Sequence, residues 1–570
     1  MASVNTGERR FRLLTPFEHQ GTPWHRRPLW GFILASVATV MGTLLAFLGP
    51  SVVTLQLGPR RNLLPPWYLP VDLDNPPNEW LVVSIGWAVV LIGAGAAVIW
   101  LRALAGGWLP DIKRMAAFCI AMVVAASVVP PMTSADALMY AAYGRIQLIG
   151  MDPYTITPAE LFRQQWDPIV RWSERPWQDT PSVYGPVLMW VMFFANRLGG
   201  SNMHDVTFIF QMLTMLGAIA AMLIMLRVCR GDRKLQGRVL VIAFGPPLIW
   251  AVVVGSHNEA IVCAIGALAF LWARNRPLAA GLAVGIAICG KATMGIFGLA
   301  FAWAYRREPR KLIAFLIGSG VPTILTYFFF YPQALELAVK NASYVAGQAW
   351  GRPLTAMLDP LLGAERVQSA LSLVAWGFCI MVVWMLSRLL PWNAAPGIAD
   401  GVDPRRDPLT IALRTTVTIS FGWISTSLYS LPWYDFITVL PIAVVGASML
   451  DWVIIWRIVV LNFTYVPGRV VIYGDAMRNW AVRGREIFGS FMSAAIIASI
   501  VLWWHRRSME RGSLTAGSVP DGFGPRVAPL PAGVNTDDAD KQAAAKTSVR
   551  PASSWTRERR RVGVTEGETT

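Results

Sequence analysis

The chain has 570 residues and a formal charge of +16; 54% of its residues are hydrophobic, 15% are charged, and its mean hydropathy is +0.45. Apolar runs of about 15 to 25 residues recur from Trp30 to about Trp504, which excludes a soluble multidomain protein and describes a polytopic membrane chain. The Lys and Arg excess is scattered over short loops and a tail, which fits the orientation bias of membrane proteins and not a nucleic-acid surface.

In chain order, residues 1–29 form a polar, basic segment that is too long to resemble a cleavable secretory signal, so the first span is expected to be retained with a cytoplasmic N-terminus. Apolar runs then predict about thirteen spans, near 30–53, 80–101, 115–133, 206–227, 239–253, 260–273, 277–290, 292–305, 312–331, 367–390, 411–430, 436–456 and 487–504. A further span hidden in Trp452 to Val466 stays open, and with it the side of the C-terminus. The stretch Val187 to Asn196 is read as a juxtamembrane helix lying flat. That choice keeps Arg227, Arg230, Arg233, Lys234 and Arg238 cytoplasmic, together with Arg274, Arg276, Arg306, Arg307, Arg310 and Lys311. The loops 54–79, 134–205 and 332–366 then face outside. Two breaks in mid-membrane, Gly245-Pro246-Pro247 and Cys289-Gly290-Lys291, are expected to line a cavity. Residues 30–505 therefore read as one transmembrane domain, and 506–570 as a disordered tail too poor in apolar residues to fold. Cys119, Cys263, Cys289 and Cys379 fall in spans and Cys229 beside a basic turn, so no disulfide framework or CxxC metal site is implied.

The chemistry-bearing residues gather on the outer side. Asp136 follows the apolar run Met115 to Thr133 directly, and helical spacing puts Asp136, Tyr140, Tyr143 and Gly144 on one face. The carboxylate either lines a cleft or merely caps a helix. Arg145, one turn on, could grip a phosphate or snorkel to the interface. The triplet His257, Asn258 and Glu259 interrupts two apolar stretches; it is either a turn that caps the next helix or a site where His257 meets an anion, and it lacks the HExxH spacing of a zinc helix. Lys291 has apolar sequence on both sides, so its ammonium must reach the interface or find an anion inside. Asp152, Asp167, Asp179, Tyr154, Tyr184, Trp166, Trp172 and Trp177, with Trp433 and Tyr434 of LPWYD, could contact sugars or serve as interfacial anchors.

Taken together, SADALMYAAYGRIQLIGMDPY, WQDTPSVYGP, GSHNE and CGKAT resemble the actinobacterial polyprenol-phosphate-mannose-dependent α-1,6-mannosyltransferases of the GT-C superfamily, best from about Met115 to Arg310. The resemblance implies an all-α, polytopic GT-C helical bundle in the plasma membrane with its active site on the extracytoplasmic side. It implies a polyprenyl-phosphate-mannose donor, a mannan or lipoglycan acceptor such as lipomannan in the cell envelope, and Asp136 as catalytic base. Lys291, His257 and Arg145 become candidates for the donor phosphate. Tyr140, Tyr143, Asp152, Asp179, Tyr184, Asn258, Glu259, Trp433 and Tyr434 become candidates for sugar contact. No cofactor and no metal are expected, because positive side chains can serve a single phosphate. Arabinofuranosyl transfer from a polyprenyl phosphate would use the same parts, and a lipid-linked sugar flippase is the competing class.

Overall fold

Apolar residues on all sides, with polar groups concentrated at their ends, make most of this chain helix, since a backbone held in lipid must satisfy its hydrogen bonds within the segment. The computed structural model describes residues 27–69, 77–175, 177–342, 344–468 and 474–516. The predicted N-terminal segment to residue 26 and the tail beyond 516 lie outside the described residues.

Among the described residues the first helices are α1 (Pro28–Phe47), α2 (Glu79–Ala105) and α3 (Ile112–Ser127). A polar connector follows, with α4 (Asp136–Leu148), α5 (Pro158–Gln164), two 3-10 turns and α6 (Pro186–Gly199). The helix α7 (Met203–Val228) then leads to α8 (Arg233–Arg238) and α9 (Pro246–Ile249), which are extended by wide π-turns over Val239–Ala243 and Trp250–Val254. The two arms meet at 45° at the Gly245-Pro246 break, as the missing amide and fixed φ of proline require. Next come α10 (Glu259–Trp272), α11 (Pro277–Gly290), α12 (Gly295–Tyr305) and α13 (Pro309–Ile324). The loop expected over 332–366 contains two amphipathic helices, α14 (Pro332–Ala342) and α15 (Arg352–Leu362). The chain closes with α16 (Ala364–Leu389), α17 (Pro408–Thr426), α18 (Phe436–Val445), α19 (Met449–Thr464) and α20 (Asp475–Ala516).

Among the described residues six helices, Pro28–Phe47, Glu79–Ala105, Met203–Val228, Pro309–Phe330, Ala364–Leu389 and Asp475–Ser508, are long and apolar enough to cross a membrane, and the bent pair counted as one span makes a seventh. This is an all-helical, multi-pass membrane protein, and length and composition do not confirm the count of thirteen spans. Several of those runs are helices of 10 to 17 residues. The run at 436–456 is not one span: Gly446 takes φ 104° and Ser448 caps α19 in a reciprocal box with Asp451. Continuous apolarity concealed that break. The stretch from Trp452, where a further span stayed open, is the 16-residue helix α19, which is not among the helices long and apolar enough to cross a membrane. The last helix also runs on to Ala516, past residue 506 where the tail is expected, although the compact unit ends at Ser508.

Packing brings helix ends that carry the motifs together. The helix α11 lies along α13 and beside α10, α7 packs on α10, and α4 rests on α6. Deep in the bundle, Arg238 pairs bidentately with Asp451 at 2.8 and 3.1 Å, and Arg457 pairs with Asp435 while also donating to the Ile424 carbonyl at 2.7 Å and to Ser430 Oγ at 2.6 Å. Charges buried to this degree persist only with such dense pairing. The second pair fixes the turn at Pro432–Asp435 that closes the site described next.

Candidate active site

Asp136 is the first residue of α4, and its placement starts upstream. The Thr133 amide donates to Val53 O at 2.8 Å, and the Met132 amide donates to Val254 O at 3.0 Å. Thr133 (φ 67°) and Ser256 (φ 56°) are the non-glycine residues in left-handed conformation among the described residues, and each directly precedes a motif. Such backbone costs on the order of 1–3 kcal/mol per residue and persists where its surroundings over-determine it. Side chains that follow the two strained residues, Asp136 and His257, meet at one point. Asp136 Oδ2 accepts from Tyr140 Oη at 3.2 Å and lies 3.2 Å from His257 Nδ1, while Ser134 Oγ accepts the Asp136 amide at 3.2 Å. Burial works to raise the Asp136 carboxyl, but the hydrogen bond and charge of His257, then the charge of Lys291, outweigh it and hold the group below its ordinary range.

Lys291 occupies the break after α11 in extended conformation. Its ammonium pairs with Glu259 and lies 3.5 Å from Asn258 Oδ1. It also sits over the rings of Tyr434, at 4.7 Å, and Tyr184, at 5.6 Å. Tyr184 arrives because the Gly185 amide donates to the Gly290 carbonyl at 2.9 Å. A Cβ on Gly185 would fall 2.2 Å from the Cys289 carbonyl oxygen, so only glycine lets the VYGP segment approach the CGK break this closely.

These groups face a cavity of about 430 Å³ lined by Asp136, Met139, Tyr143, Trp177, Tyr184, Lys291, Trp423, Tyr429, Trp433 and Tyr434, with Ser372, Trp376 and Cys379 of α16 on its flank. Its size and aromatic lining with a few polar groups suit a small-molecule site. Asp136 and Lys291 remain partly open to it, at 18% and 12% side-chain exposure.

The structure sorts the sequence candidates by position. Asp136, Tyr143, Tyr184, Lys291, Trp433 and Tyr434 line the cavity. His257 lies behind it, buried and stacked on Trp433 with ring centroids 3.5 Å apart at 16°, so it contacts Asp136 rather than the space where a phosphate would lie. Asn258 and Glu259 are buried and serve Lys291. Tyr140 is buried against Tyr184 and holds Asp136. Gly144 packs α4 onto α6, where a Cβ would meet Met192 O at 2.3 Å, instead of lining the cleft. Arg145 is not brought to the cavity: its Nε donates to Asp167 Oδ2 at 2.7 Å, and Asp167 in turn caps the Ile169 and Val170 amides. Asp179 is exposed beside Gln178. Asp152 lines a separate cavity. Sequence reasoning missed Trp423, Tyr429 and the Asp435 partner Arg457; the spacing of Tyr429 from Trp433 in YSLPWYD was a signal, whereas nothing local marked Arg457. The five cysteines are buried and unpaired. Among the described residues no cluster of three His, Cys, Asp or Glu side chains could hold a metal ion.

Residues 27–307 match the family model described as alpha-(1→6)-mannopyranosyltransferase, N-terminal domain. That stretch contains Asp136, His257, Glu259 and Lys291 but not Trp433 or Tyr434. Among curated relatives, alpha-(1→6)-mannopyranosyltransferase A of Corynebacterium glutamicum is 24% identical over 273 residues, 45% of this chain and 54% of the relative. A probable alpha-(1→6)-mannopyranosyltransferase of Mycolicibacterium smegmatis is 30% identical over 139 residues, 24% of each chain. The alpha-(1→6)-mannopyranosyltransferase of Mycobacterium tuberculosis is 27% identical over 142 residues, 24% of this chain and 23% of that one. The matches thus span about half the length of the first relative and about a quarter of the others. ArnT from Cupriavidus metallidurans, solved in the apo state, aligns over 65% of this chain and 72% of its own at 12% identity with a TM-score of 0.30, too low a score to bear on the argument.

Proposed function

Because residues 27–307 match the alpha-(1→6)-mannopyranosyltransferase family model, we propose that the chain is a membrane glycosyltransferase that moves mannose from a polyprenyl phosphate to the 6-hydroxyl of an α-mannan or lipoglycan acceptor. The observation that carries this reading is the placement of one carboxylate and one ammonium on the wall of the same cavity, each anchored from behind by buried partners.

Asp136 is the base. Held ionised, its carboxylate takes the proton of the acceptor 6-hydroxyl as that oxygen attacks the anomeric carbon of a β-linked mannosyl phosphate. The new C–O bond forms on the face opposite the phosphate, the old one breaks with its electron pair going to the phosphate oxygen, and the product is α-linked. His257 and Tyr140 fix the carboxylate on Oδ2. Lys291 meets the phosphate: an ammonium has three N–H donors, Glu259 and Asn258 engage two, and the third is left for the cavity. The leaving polyprenyl phosphate is a stable anion and needs no proton. The aromatic walls from Trp177, Trp423, Tyr429 and Trp433 offer flat faces for pyranose rings.

The extracytoplasmic side is supported by chain direction. Starting from the site, α10 and α12 run away from it toward Arg274, Arg276, Arg306 and Arg307, and α11 and α13 begin at that same basic end. Under the orientation bias of Lys and Arg the opposite end, with Asp136, faces outward in a plasma membrane. The test is transfer of radiolabelled mannose from polyprenyl phosphate to a short α-1,6-mannoside in membranes holding matched amounts of wild-type or Asp136→Asn protein. Loss of about 10²-fold to 10⁴-fold is expected for a missing general base. Undiminished transfer would remove Asp136 from the mechanism.

A further inference from the structure

A second cavity, of about 270 Å³, stands back to back with the first across the segment Tyr184-Gly185-Pro186. Tyr184 lines one cavity and Pro186 the other, and the phenol of Tyr154 braces the partition by donating to the Tyr184 carbonyl at 2.9 Å. Its polar and aromatic lining is Gln147, Asp152, Tyr154, Trp190 and Tyr331. The mechanism uses none of them.

The lining selects a class of ligand. No Lys or Arg is among the residues of its wall, and one carboxylate is, so a phosphate or other anion is disfavoured. What the wall offers is hydrogen-bond acceptors and flat rings. Asp152 uses Oδ1 to accept the Tyr154 amide at 2.9 Å, which leaves Oδ2 without a hydrogen bond among the described residues. Gln147 Oε1 is buried and has no hydrogen-bond partner among the described residues, a state that costs on the order of 1–3 kcal/mol until a donor arrives. The Tyr154 and Tyr331 rings lie 5.9 Å apart at 57°, forming a corner, and Trp190 stands at the rim. A molecule with many hydroxyl donors and apolar ring faces fits this inventory, and an uncharged sugar unit has both.

We propose that this cavity is a second carbohydrate subsite, which holds a unit of the acceptor glycan remote from the hydroxyl that reacts at Asp136. The inference rests on the glycosyltransferase reading for the identity of that glycan. It gives the site a preference for acceptor length: a disaccharide fills the catalytic cavity alone, whereas a longer chain crosses the Tyr184-Pro186 partition and engages Asp152 and Gln147.

The experiment measures binding without donor, so that it does not depend on turnover. Wild-type, Gln147→Ala/Asp152→Asn and Trp190→Leu proteins in nanodiscs are titrated with α-1,6-mannotetraose and with α-1,6-mannobiose, and dissociation constants are read by saturation-transfer NMR. The tetraose is expected to bind about 10-fold more weakly to the double variant and less tightly to Trp190→Leu, with mannobiose unchanged within about 2-fold. Trp190 takes no part in the hydrogen bond from Tyr154 to Tyr184, so this variant keeps the test valid if the double variant perturbs the partition. Equal tetraose affinity for all three proteins overturns the subsite, as does an equal loss of mannobiose binding in both variants. Mannose transfer is assayed in parallel. Discrimination by length without any transfer leaves the subsite standing and removes the mannosyltransferase reading, and transfer without discrimination does the reverse.

Discussion

Gly185→Ala adds one methyl group that touches no substrate, and it tests whether the site depends on the closeness of two backbone segments. The added Cβ would lie 2.2 Å from the Cys289 carbonyl oxygen and 2.7 Å from its carbon. Ordinary contact begins near 3.4 Å, so the VYGP segment and the CGK break must part by roughly 1 Å. Both are backbone, and neither can yield by turning a rotamer. Overpacking of this kind costs about 1–3 kcal/mol, and stretching the bond from the Gly185 amide to the Gly290 carbonyl adds on the order of 1 kcal/mol. The functional cost is larger, because the parting carries Tyr184 away from Lys291, and a 1 Å misplacement of reacting groups lowers rates about 10²-fold. Mannose transfer in nanodiscs should show kcat reduced by about 10-fold to 10²-fold with KM changed far less, alongside a lower melting temperature in the same preparation. Wild-type kcat at wild-type melting temperature would refute the claim that this contact sets the distance between Tyr184 and Lys291.

Three more outcomes follow from the same geometry. Lys291→Met should cut activity by at least 10²-fold and also destabilise, since it strands the buried Glu259 carboxylate; breaking such a pair costs about 3–5 kcal/mol. The double variant with Glu259→Gln should recover most of the melting temperature and none of the activity, and additive losses of stability would disprove the pairing. Asp136 is held below its ordinary range, so it stays an ionised base as pH falls and is lost only when pH drops through that lowered value. Removing the imidazole in His257→Ala leaves burial, the largest influence and a raising one, less opposed, so the acidic limb of the kcat profile should move to higher pH; an unmoved limb would contradict the contact between His257 and Asp136. Finally, Arg145→Ala should lower stability by about 1–3 kcal/mol through the loss of Asp167 while leaving the KM for donor unchanged, and a raised donor KM would return Arg145 to the phosphate.

How much was legible in the sequence depends on where each signal resided. Asp136, Tyr140 and Tyr143 are set out by helical spacing at the end of an apolar run, and Lys291 by being a lone charge in an apolar stretch. Both signals are local. Their anchors are not. The stack of Trp433 on His257 and the pairing of Lys291 with Glu259 need particular helices to be neighbours, which the sequence leaves open. Arg145 was a candidate for a phosphate beside its reading as an interfacial anchor because its partner, Asp167, lies in an irregular loop with no period to read. The structure does not confirm the count of thirteen spans, for a related reason. Helices that are apolar on every side carry no stripe from which an end can be judged, and α18 joins α19 through an apolar Val-Val-Gly-Ala passage whose turn shows only in the dihedral of Gly446.

The wall formed by Trp433 and Tyr434 has a bearing on how the protein is made. Synthesis delivers Asp136, His257 and Lys291 early and the Pro432–Asp435 turn late, and at ordinary elongation rates of about 5–20 residues per second the interval from Lys291 to that turn is on the order of ten seconds. Throughout that interval the His257 ring lacks its Trp433 partner, and once Asp435 has been added it still awaits Arg457. The nascent chain therefore carries an ionisable cluster through insertion with one side open to whatever surrounds it, water in the insertion machinery or a chaperone surface. Only when α19 docks and brings Arg457 to Asp435 is the door shut, and a chain stalled between those two moments holds every charged group of the chemistry and no chamber in which to use them.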